Sequence, residues 1–320
     1  MAYSDQRSRS TETPRKFLSL FALYVRYRTD EKLPCHQNAL QGAIYMGDIF
    51  AMVEGQFGKV VVIELCHKLV LHSHPEIQFS YWLAGGQCNG RVGDVSACCS
   101  ETQAIVVNRY QAHDAELAQA YMPATLLVVY LNEDWFDHNF STQVGPIHFQ
   151  LGQLIHTSEM RSKSWDLMQK ILFSKVRDIK SIQDDVQALI RLTLDNNLHL
   201  VVSKTNAIRR KMLDYRLRVA LTHLSDNMTE HGLMKNLSKS VGVSRSRLYE
   251  LFKKELQSTP KLIWNSVLID AVVHNLASHE MDLSRVSEKL GFSTAANFSR
   301  FFRRHKGVTP STYKKKIKIC

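Results

Sequence analysis

Residues 290–313 read LGFSTAANFSRFFRRHKGVTPSTY, and helical pattern, turn chemistry and positive charge coincide there. Gly291 can take the left-handed backbone conformation that ends one helix. Ser293 or Thr294 can then cap the next helix by accepting a hydrogen bond from a free N–H. Phe298, Phe301 and Phe302 recur at three- and four-residue spacing, so they share one face and point to a small core. Ala295, Ala296, Asn297 and Arg300 are left on or near the opposite face, where a base edge can be met. The stretch reads as the turn and second helix of a helix–turn–helix.

An earlier stretch can be laid over it. Val241-Gly-Val-Ser244 matches Leu290-Gly-Phe-Ser293. Leu248, Leu251 and Phe252 match Phe298, Phe301 and Phe302 if the second copy carries one extra residue. Lys253-Lys254 falls on Arg303-Arg304, and Thr259-Pro260 on Thr309-Pro310. Two helix–turn–helix units are therefore expected, at about 233–256 and 283–306. Between them Pro260 to about Ser278 reads as one helix, with proline at an early position where its missing N–H costs nothing. Roughly 18 residues at ~1.5 Å each make a rod of about 27 Å. With the helices' own width, such a rod can set two recognition helices about one duplex turn, ~34 Å, apart.

Charge follows the same division. Of the 41 Lys/Arg and 30 Asp/Glu, residues 201–320 hold 23 and 9, leaving 18 and 21 for residues 1–200. The excess positive charge thus sits where phosphates would be neutralised. In the first unit Arg245, Ser246, Arg247, Tyr249 and Glu250 lie outside the core positions. Arginine can pair in bidentate fashion with guanine, Ser and Tyr can donate or accept, and Glu can accept from cytosine or orient an arginine. In the second unit Asn297 and Arg300 are the polar candidates, while Ala295 and Ala296 offer apolar contact such as with a thymine methyl. Lys253, Lys254, Arg303, Arg304 and Lys306 come late in the recognition helices, which suits phosphates better than bases. The cations alternate with core-pattern residues and form no long amphipathic stripe, so a membrane partner is not expected.

The rest of the chain is organised differently. Residues 1–16 are polar and read as a disordered tail. From about 40 to 131, apolar or alternating runs at Ala43–Val53, Lys59–Val70, Ile77–Leu83, Ala104–Val107 and Thr125–Leu131 are separated by turn signals at Glu54-Gly55, Gly85-Gly86 and Asn89-Gly90. Short strands at this spacing predict a sandwich or barrel. Within them, a period of two puts His72, His74, Glu76, Gln78, Ser80 and Trp82 on one face, and Ile77, Phe79, Tyr81 and Leu83 on the other. An apolar row that packs and a polar row that lines a cavity would suit an effector pocket. Helices are expected at Ser164–Asp178 and Ser181–Leu200, each with an apolar stripe that covers the barrel, a second subunit, or both. The polar run Ser203–Asn206 marks the junction. Cys35, Cys66, Cys88, Cys98, Cys99 and Cys320 show no CxxC spacing, which fits reduced cytosolic thiols. The absence of a charged-then-apolar leader or an apolar run of about 18 residues points to a cytoplasmic protein.

These residues resemble the AraC/XylS transcriptional regulators over the last ~110 positions. The signature elements are Leu290-Gly291-Phe292, Phe298-Ser-Arg300-Phe-Phe302-Arg303, Gly307-Val-Thr309-Pro310 and Tyr313, with a similar first unit at Val241–Ser244 and Leu248–Lys253. The small residue usual in the turn's first helix, often Ala, is Ser238 in one unit and Ser287 in the other. The N-terminal region looks like the family's cupin-type effector and dimerisation domain. His72, His74, Glu76 and a later His113 echo the cupin metal pattern, although Glu76 follows His74 by only two positions.

The resemblance implies an α+β two-domain chain. A cupin-like β-barrel with flanking helices would occupy 17–203, and an all-α tandem helix–turn–helix domain with its linker helix 204–320. It further implies a homodimeric activator that binds double-stranded DNA, a small-molecule effector bound near His72, His74, Glu76, Gln78, Trp82 and His113, and RNA polymerase as a further candidate partner. No nucleophile–base pair, phosphate loop or dinucleotide fingerprint is present, so neither an enzyme nor a cofactor is expected. The alternative is a metal-binding cupin enzyme or metal sensor built on His72, His74, Glu76 and His113.

Overall fold

The structure is a computed structural model, and it describes residues 49–66, 68–140, 149–173, 178–201, 214–230, 232–277, 282–306 and 309–319. The expected tail at 1–16, the start of the Ala43–Val53 strand, the Ser203–Asn206 junction, Cys35, Cys320 and the Lys306 side chain lie outside the described residues. Residues Ile44–Cys320 pack as one compact unit.

Among the described residues, ten strands come first: β1 (Ile49–Gly55), β2 (Gly58–Leu65), β3 (Leu69–His72), β4 (Ile77–Gly85), β5 (Cys88–Val92), β6 (Val95–Cys99), β7 (Gln103–Val107), β8 (His113–Leu117), β9 (Ala124–Leu131) and β10 (Gln153–Ile155). They form two antiparallel sheets, β1-β2-β9-β4-β7-β10 and β3-β8-β5-β6, and neither sheet closes on itself. The run Lys59–Val70 is therefore two strands in two sheets. Asn89-Gly90, expected as a turn, lies within β5. A Cβ on Gly90 would stand 2.2 Å from the Asp114 carbonyl oxygen of β8, so close backbone approach accounts for this glycine.

The apolar row of β4 behaves as its alternation predicts. Ile77, Phe79, Tyr81 and Leu83 are all buried, against a helical layer of α1 (Glu133–Phe140), α2 (Ser158–Phe173) and α3 (Ile179–Val201). Phe79 meets Phe136 of α1 and Phe149, and the Tyr81 hydroxyl is 2.8 Å from Thr193 Oγ1 of α3. Burying a Tyr hydroxyl is costly without such a partner. The stripes Met160, Leu167, Met168, Ile171 and Ile182, Val186, Leu189, Ile190 are buried within this chain.

The described helices that follow are α4 (Tyr215–Asp226), α5 (Leu233–Ser240), α6 (Arg245–Leu256), α7 (Pro260–Ala277), α8 (Leu283–Lys289), α9 (Ala295–Lys306) and α10 (Pro310–Ile319). The two turns repeat bond for bond. Gly242 (φ 70°) and Gly291 (φ 72°) are left-handed. Gly242 N–H donates to Lys239 O and Val243 N–H to Ser238 O, while Gly291 N–H donates to Glu288 O and Phe292 N–H to Ser287 O. This is the doubly bonded C-terminal stop that glycine permits. The next helix is capped by Ser244, accepting from Arg247 N–H, and by Thr294, accepting from Asn297 N–H. Of Ser293 and Thr294, Thr294 is the one that caps by this bond, so the extra residue of the second copy lies in its turn.

Each unit has its own core. Leu217, Leu224, Leu237, Leu248, Phe252 and Ile263 make the first; Leu268, Val272, Val286, Phe298, Phe302 and Tyr313 make the second. Helix α7 supplies one end of itself to each, and Trp264 packs on both while its indole N–H donates to Met228 O at 2.9 Å.

Candidate nucleic-acid interface and effector cavity

The recognition helices are α6 and α9. Arg245, Ser246, Arg247 and Glu250 are exposed and Tyr249 is half-buried; Ala295, Ala296, Asn297 and Arg300 are exposed. The polar ones are already oriented. Arg247 Nη1 donates to Glu250 Oε2 at 3.1 Å, the Arg245 guanidinium lies 5.7 Å from the Tyr249 ring centroid, and Arg300 donates to Asn297, whose amide in turn donates to Ser293 Oγ. Exposed pairs of this kind contribute only about 0–1 kcal/mol. A base edge offering two acceptors can therefore replace Glu250 or Asn297, and the guanidinium arrives pre-aimed.

The expected phosphate set is divided. Lys254 and Arg304 are exposed and Arg303 is half-buried. Lys253 instead donates to Asp94 at 2.7 Å, in the turn between β5 and β6, and Gln111 donates to Gln257 beside it. The C-terminal end of α6 thus rests on the smaller sheet. Both partners of the Lys253–Asp94 pair are exposed, so the pair is weak and phosphate can compete for the lysine.

The second site is a cavity of about 130 Å³. Alternate residues of β2 (Lys59, Val61, Ile63) and β9 (Leu126, Val128, Tyr130) line it, together with His72, His74, Glu76, Gln78, Ser80 and His113. Helix α7 contributes Ile269, Asp270 and Val273, α9 His305 and α10 Tyr313. Trp82, expected with the polar row, is not among the lining residues; it packs on the core cluster formed between the two sheets and donates to Gly86 O at 2.9 Å. The other five pocket candidates do meet. His74 Nε2 lies 2.8 Å from Gln78 Oε1, and Gln78 Nε2 donates to Ser80 Oγ at 2.9 Å. Lys59 and Tyr130 were legible in principle, since each continues the alternation of its strand. Asp270, His305 and Tyr313 carried no such signal, because they reach the cavity from the helix–turn–helix region.

Within the cavity Lys59 and Glu76 compensate one another's charge. Lys59 Nζ donates to Glu76 Oε1 at 3.0 Å and lies over the Tyr130 ring. Burial opposes the Lys59 charge, but Glu76 and then Asp270 outweigh it and hold the ammonium above its ordinary range. Burial likewise opposes the Glu76 charge, and the nearby His74 ring and the Lys59 ammonium overcome it, so the carboxyl is held well below its usual range. Burial pushes the Tyr130 phenol up to about 12. Burial first, and then His72 and His74, depress His113 well below the ordinary histidine value.

A further buried histidine gives a pH signature. His156 packs 5.7 Å from the Tyr81 ring and burial lowers its pKa to about 4. The unfolded chain would protonate it near 6.5, so between these values the unfolded state binds more protons. The stability it supports above pH ~6.5 is therefore lost as pH falls toward 4, by up to about 3 kcal/mol. Denaturant titrations at pH 7 and 4.5 should show His156→Gln losing distinctly less stability across this interval than the wild type. An unchanged pH dependence would contradict this assignment.

Two helix–turn–helix units joined by one helix, each presenting a polar edge, define a tandem helix–turn–helix module. A family described as a helix-turn-helix domain matches residues 237–316. The probable transcriptional regulator LumQ of Photobacterium leiognathi is 28% identical over 141 residues, which is 42% of this chain and 55% of that protein. The raffinose operon regulatory protein RafR of Pediococcus pentosaceus is 25% identical over 104 residues, 32% of this chain and 38% of that protein. The matches thus span about two-fifths to just over half the length of these curated relatives. The C-terminal region is thus matched as a helix-turn-helix domain. At the level of fold, two structures of ToxT from Vibrio cholerae strain SCE256 are similar. The apo form of a lysine-to-alanine variant (TM-score 0.54, 11% identity) covers 81% of this chain and 97% of that one. The wild-type form bound to an unsaturated fatty acid (TM-score 0.54, 12% identity) covers 82% and 95%. Both sheets and the helical module belong to that shared architecture. Among the described residues, no helix is long and apolar enough to cross a membrane.

Proposed function

We propose that this protein is a sequence-specific transcriptional regulator, not an enzyme, whose two recognition helices enter successive major grooves of one duplex and whose cavity receives an effector. The observation that carries the reading is that the cores seating α6 and α9 draw on the N-terminal and C-terminal parts of the 18-residue α7. At ~1.5 Å per residue this rod spans about 27 Å, which suits two readers about one duplex turn apart. The bases are read by Arg245, Ser246, Arg247, Tyr249 and Glu250 from the first unit, and by Ala295, Ala296, Asn297 and Arg300 from the second. Lys253, Lys254, Arg303, Arg304 and Lys306 hold phosphates.

The sheet region acts as the cupin-like effector and dimerisation domain, with its boundary near residue 203. ToxT has been seen with an unsaturated fatty acid, and by analogy the cavity against α7 is the effector's seat. At about 130 Å³ it suits a smaller ligand than the ~300–1,000 Å³ pockets of drug-sized molecules. Because helices of the DNA-binding region close this cavity, its occupant would bias how the readers are held. Homodimerisation, activation and contact with RNA polymerase belong to the same reading; exposed Phe173 and Ile179, at facing ends of α2 and α3, support a further apolar contact there.

Selection of bound sites from random duplex DNA tests the proposal. The expected result is a two-part motif with centres about 10 base pairs apart. Enrichment of no motif, with affinity that tracks salt alone, would overturn it.

A further inference from the structure

Three imidazoles converge at one edge of the cavity. His72 and His113 are direct partners in the β3–β8 ladder, with ring centroids 4.1 Å apart. His74 lies 4.9 Å from His113 and 6.1 Å from His72. One ring nitrogen of each comes within 4.8 Å of the others.

The hydrogen bonding selects one tautomer for His72 and His113. Nδ1 of His72 faces Val70 O at 2.8 Å, Nδ1 of His74 faces Glu76 O at 3.1 Å, and Nδ1 of His113 faces Gln111 O at 3.0 Å. A carbonyl oxygen can only accept, so in His72 and His113 the proton sits on Nδ1 and Nε2 is the nitrogen that can ligate; His74 has a second acceptor, Gln78 Oε1, 2.8 Å from its Nε2, and that nitrogen ligates once the Gln78 amide turns away. An imidazole whose other nitrogen donates to a backbone carbonyl is the arrangement that fixes a metal-binding histidine. His113 is buried, and its Nε2 has no hydrogen-bond partner. A buried acceptor left unmet in a polar cavity implies that something else satisfies it.

We infer that His72, His74 and His113 form a three-imidazole site for a divalent first-row transition-metal ion, with its open position toward the cavity. Nitrogen donors suit zinc, cobalt, nickel, copper or iron, and disfavour magnesium and calcium, which take oxygen. Metal–nitrogen bonds of ~2.0–2.1 Å at tetrahedral angles place ligand atoms about 3.4 Å apart. Binding therefore draws the three ligating nitrogens to that spacing, while the Gln78 side chain gives up His74 Nε2. Glu76 is outside the ligand group. Its Oε2 lies 3.4 Å from His74 Nδ1 and its Oε1 holds Lys59, so it orients His74 from behind. The cavity has room for the ion with water or one small ligand. Ile269 and Val273 of α7 and His305 of α9 border the same cavity, so the ion becomes an effector of DNA binding; this last consequence rests on the regulator reading.

Full-length protein purified without a His tag, stripped with chelator and equilibrated with Zn(II), Co(II) or Mg(II), tests the site. After desalting, about one equivalent of Zn(II) or Co(II) should remain, and none of Mg(II). Bound Co(II) should show visible d–d absorption, and Zn(II) should raise the Tm. His72→Gln, at a half-buried position, and His113→Gln should lose retention and the absorption, while His223→Gln in α4 keeps both. Circular dichroism reports folding of every variant. Folded wild type retaining less than about a tenth of an equivalent of either ion, or His72→Gln binding as wild type does, would falsify the site. The same preparations are assayed on the selected DNA. Sequence-specific binding without metal retention rejects the site alone, and metal retention without any DNA motif rejects the regulator reading alone.

Discussion

Phe252→Ala and Phe302→Ala are each expected to destabilise the helix–turn–helix region by about 3–5 kcal/mol. Both rings are fully buried, Phe252 among Leu217, Leu237, Leu248 and Ile263, and Phe302 against Phe298 and Tyr313. Removing either leaves a ring-sized void among residues fixed by two or three helices, and short helices cannot close it. The two sites lie in separate cores at the two ends of α7, so the losses should add in the double variant. Trp264 contacts both cores, so its fluorescence during denaturant titration reports on each. DNA affinity should fall with stability in either variant, because a recognition helix detached from its core has no fixed register on a groove. A loss below about 1 kcal/mol with DNA binding intact would show that these rings are not what holds the recognition helices.

Arg247→Ala and Arg300→Ala carry the next largest effect, and it falls on discrimination while the fold is preserved. Both side chains are exposed and pair with neighbours on their own helix. Each bidentate contact to a base is worth about 1–3 kcal/mol, so the double variant should lose about 2–6 kcal/mol of preference for the selected motif if the units read independently. Each single change should relax one position in its own half of the motif. Lys254→Ala should instead weaken all sequences alike and reduce the salt slope by about 0.9. Binding measured at matched salt to the motif, to single-base variants and to random duplex separates these outcomes. Wild-type affinity and unchanged preference for Arg300→Ala would remove that residue from the reading edge. The second unit presents Asn297 and Arg300 beside two alanines, so the larger share of discrimination is expected from Arg245 to Glu250.

The helical third of the chain was legible in the linear sequence because nearly everything that shapes it is local. Gly242 and Gly291 stop one helix, Ser244 and Thr294 start the next, and Phe298 and Phe302 recur at helical spacing, all within a few residues of one another. Even there the choice between Ser293 and Thr294 waited on the three-dimensional structure. The sheets were less legible. Lys59–Val70 has the composition of one strand, yet it divides between two sheets, and Asn89-Gly90 has the composition of a turn, yet it lies within a strand against Asp114. Strand partners are set by contacts between distant segments, which composition does not encode.

The same distinction separates the two sites. Residue order alone established that there are two helix–turn–helix units, that a helix joins them, and which side chains stand on their outer edges, because helix periodicity assigns faces without knowledge of the rest of the fold. Tertiary structure alone decided that His113 pairs with His72, that Glu76 stands behind His74 with Lys59, that Trp82 leaves the polar row, and that Asp270, His305 and Tyr313 complete the cavity. Each depends on elements far apart in the chain being brought within a few ångströms, and that proximity comes from packing one sheet against another and α7 against both.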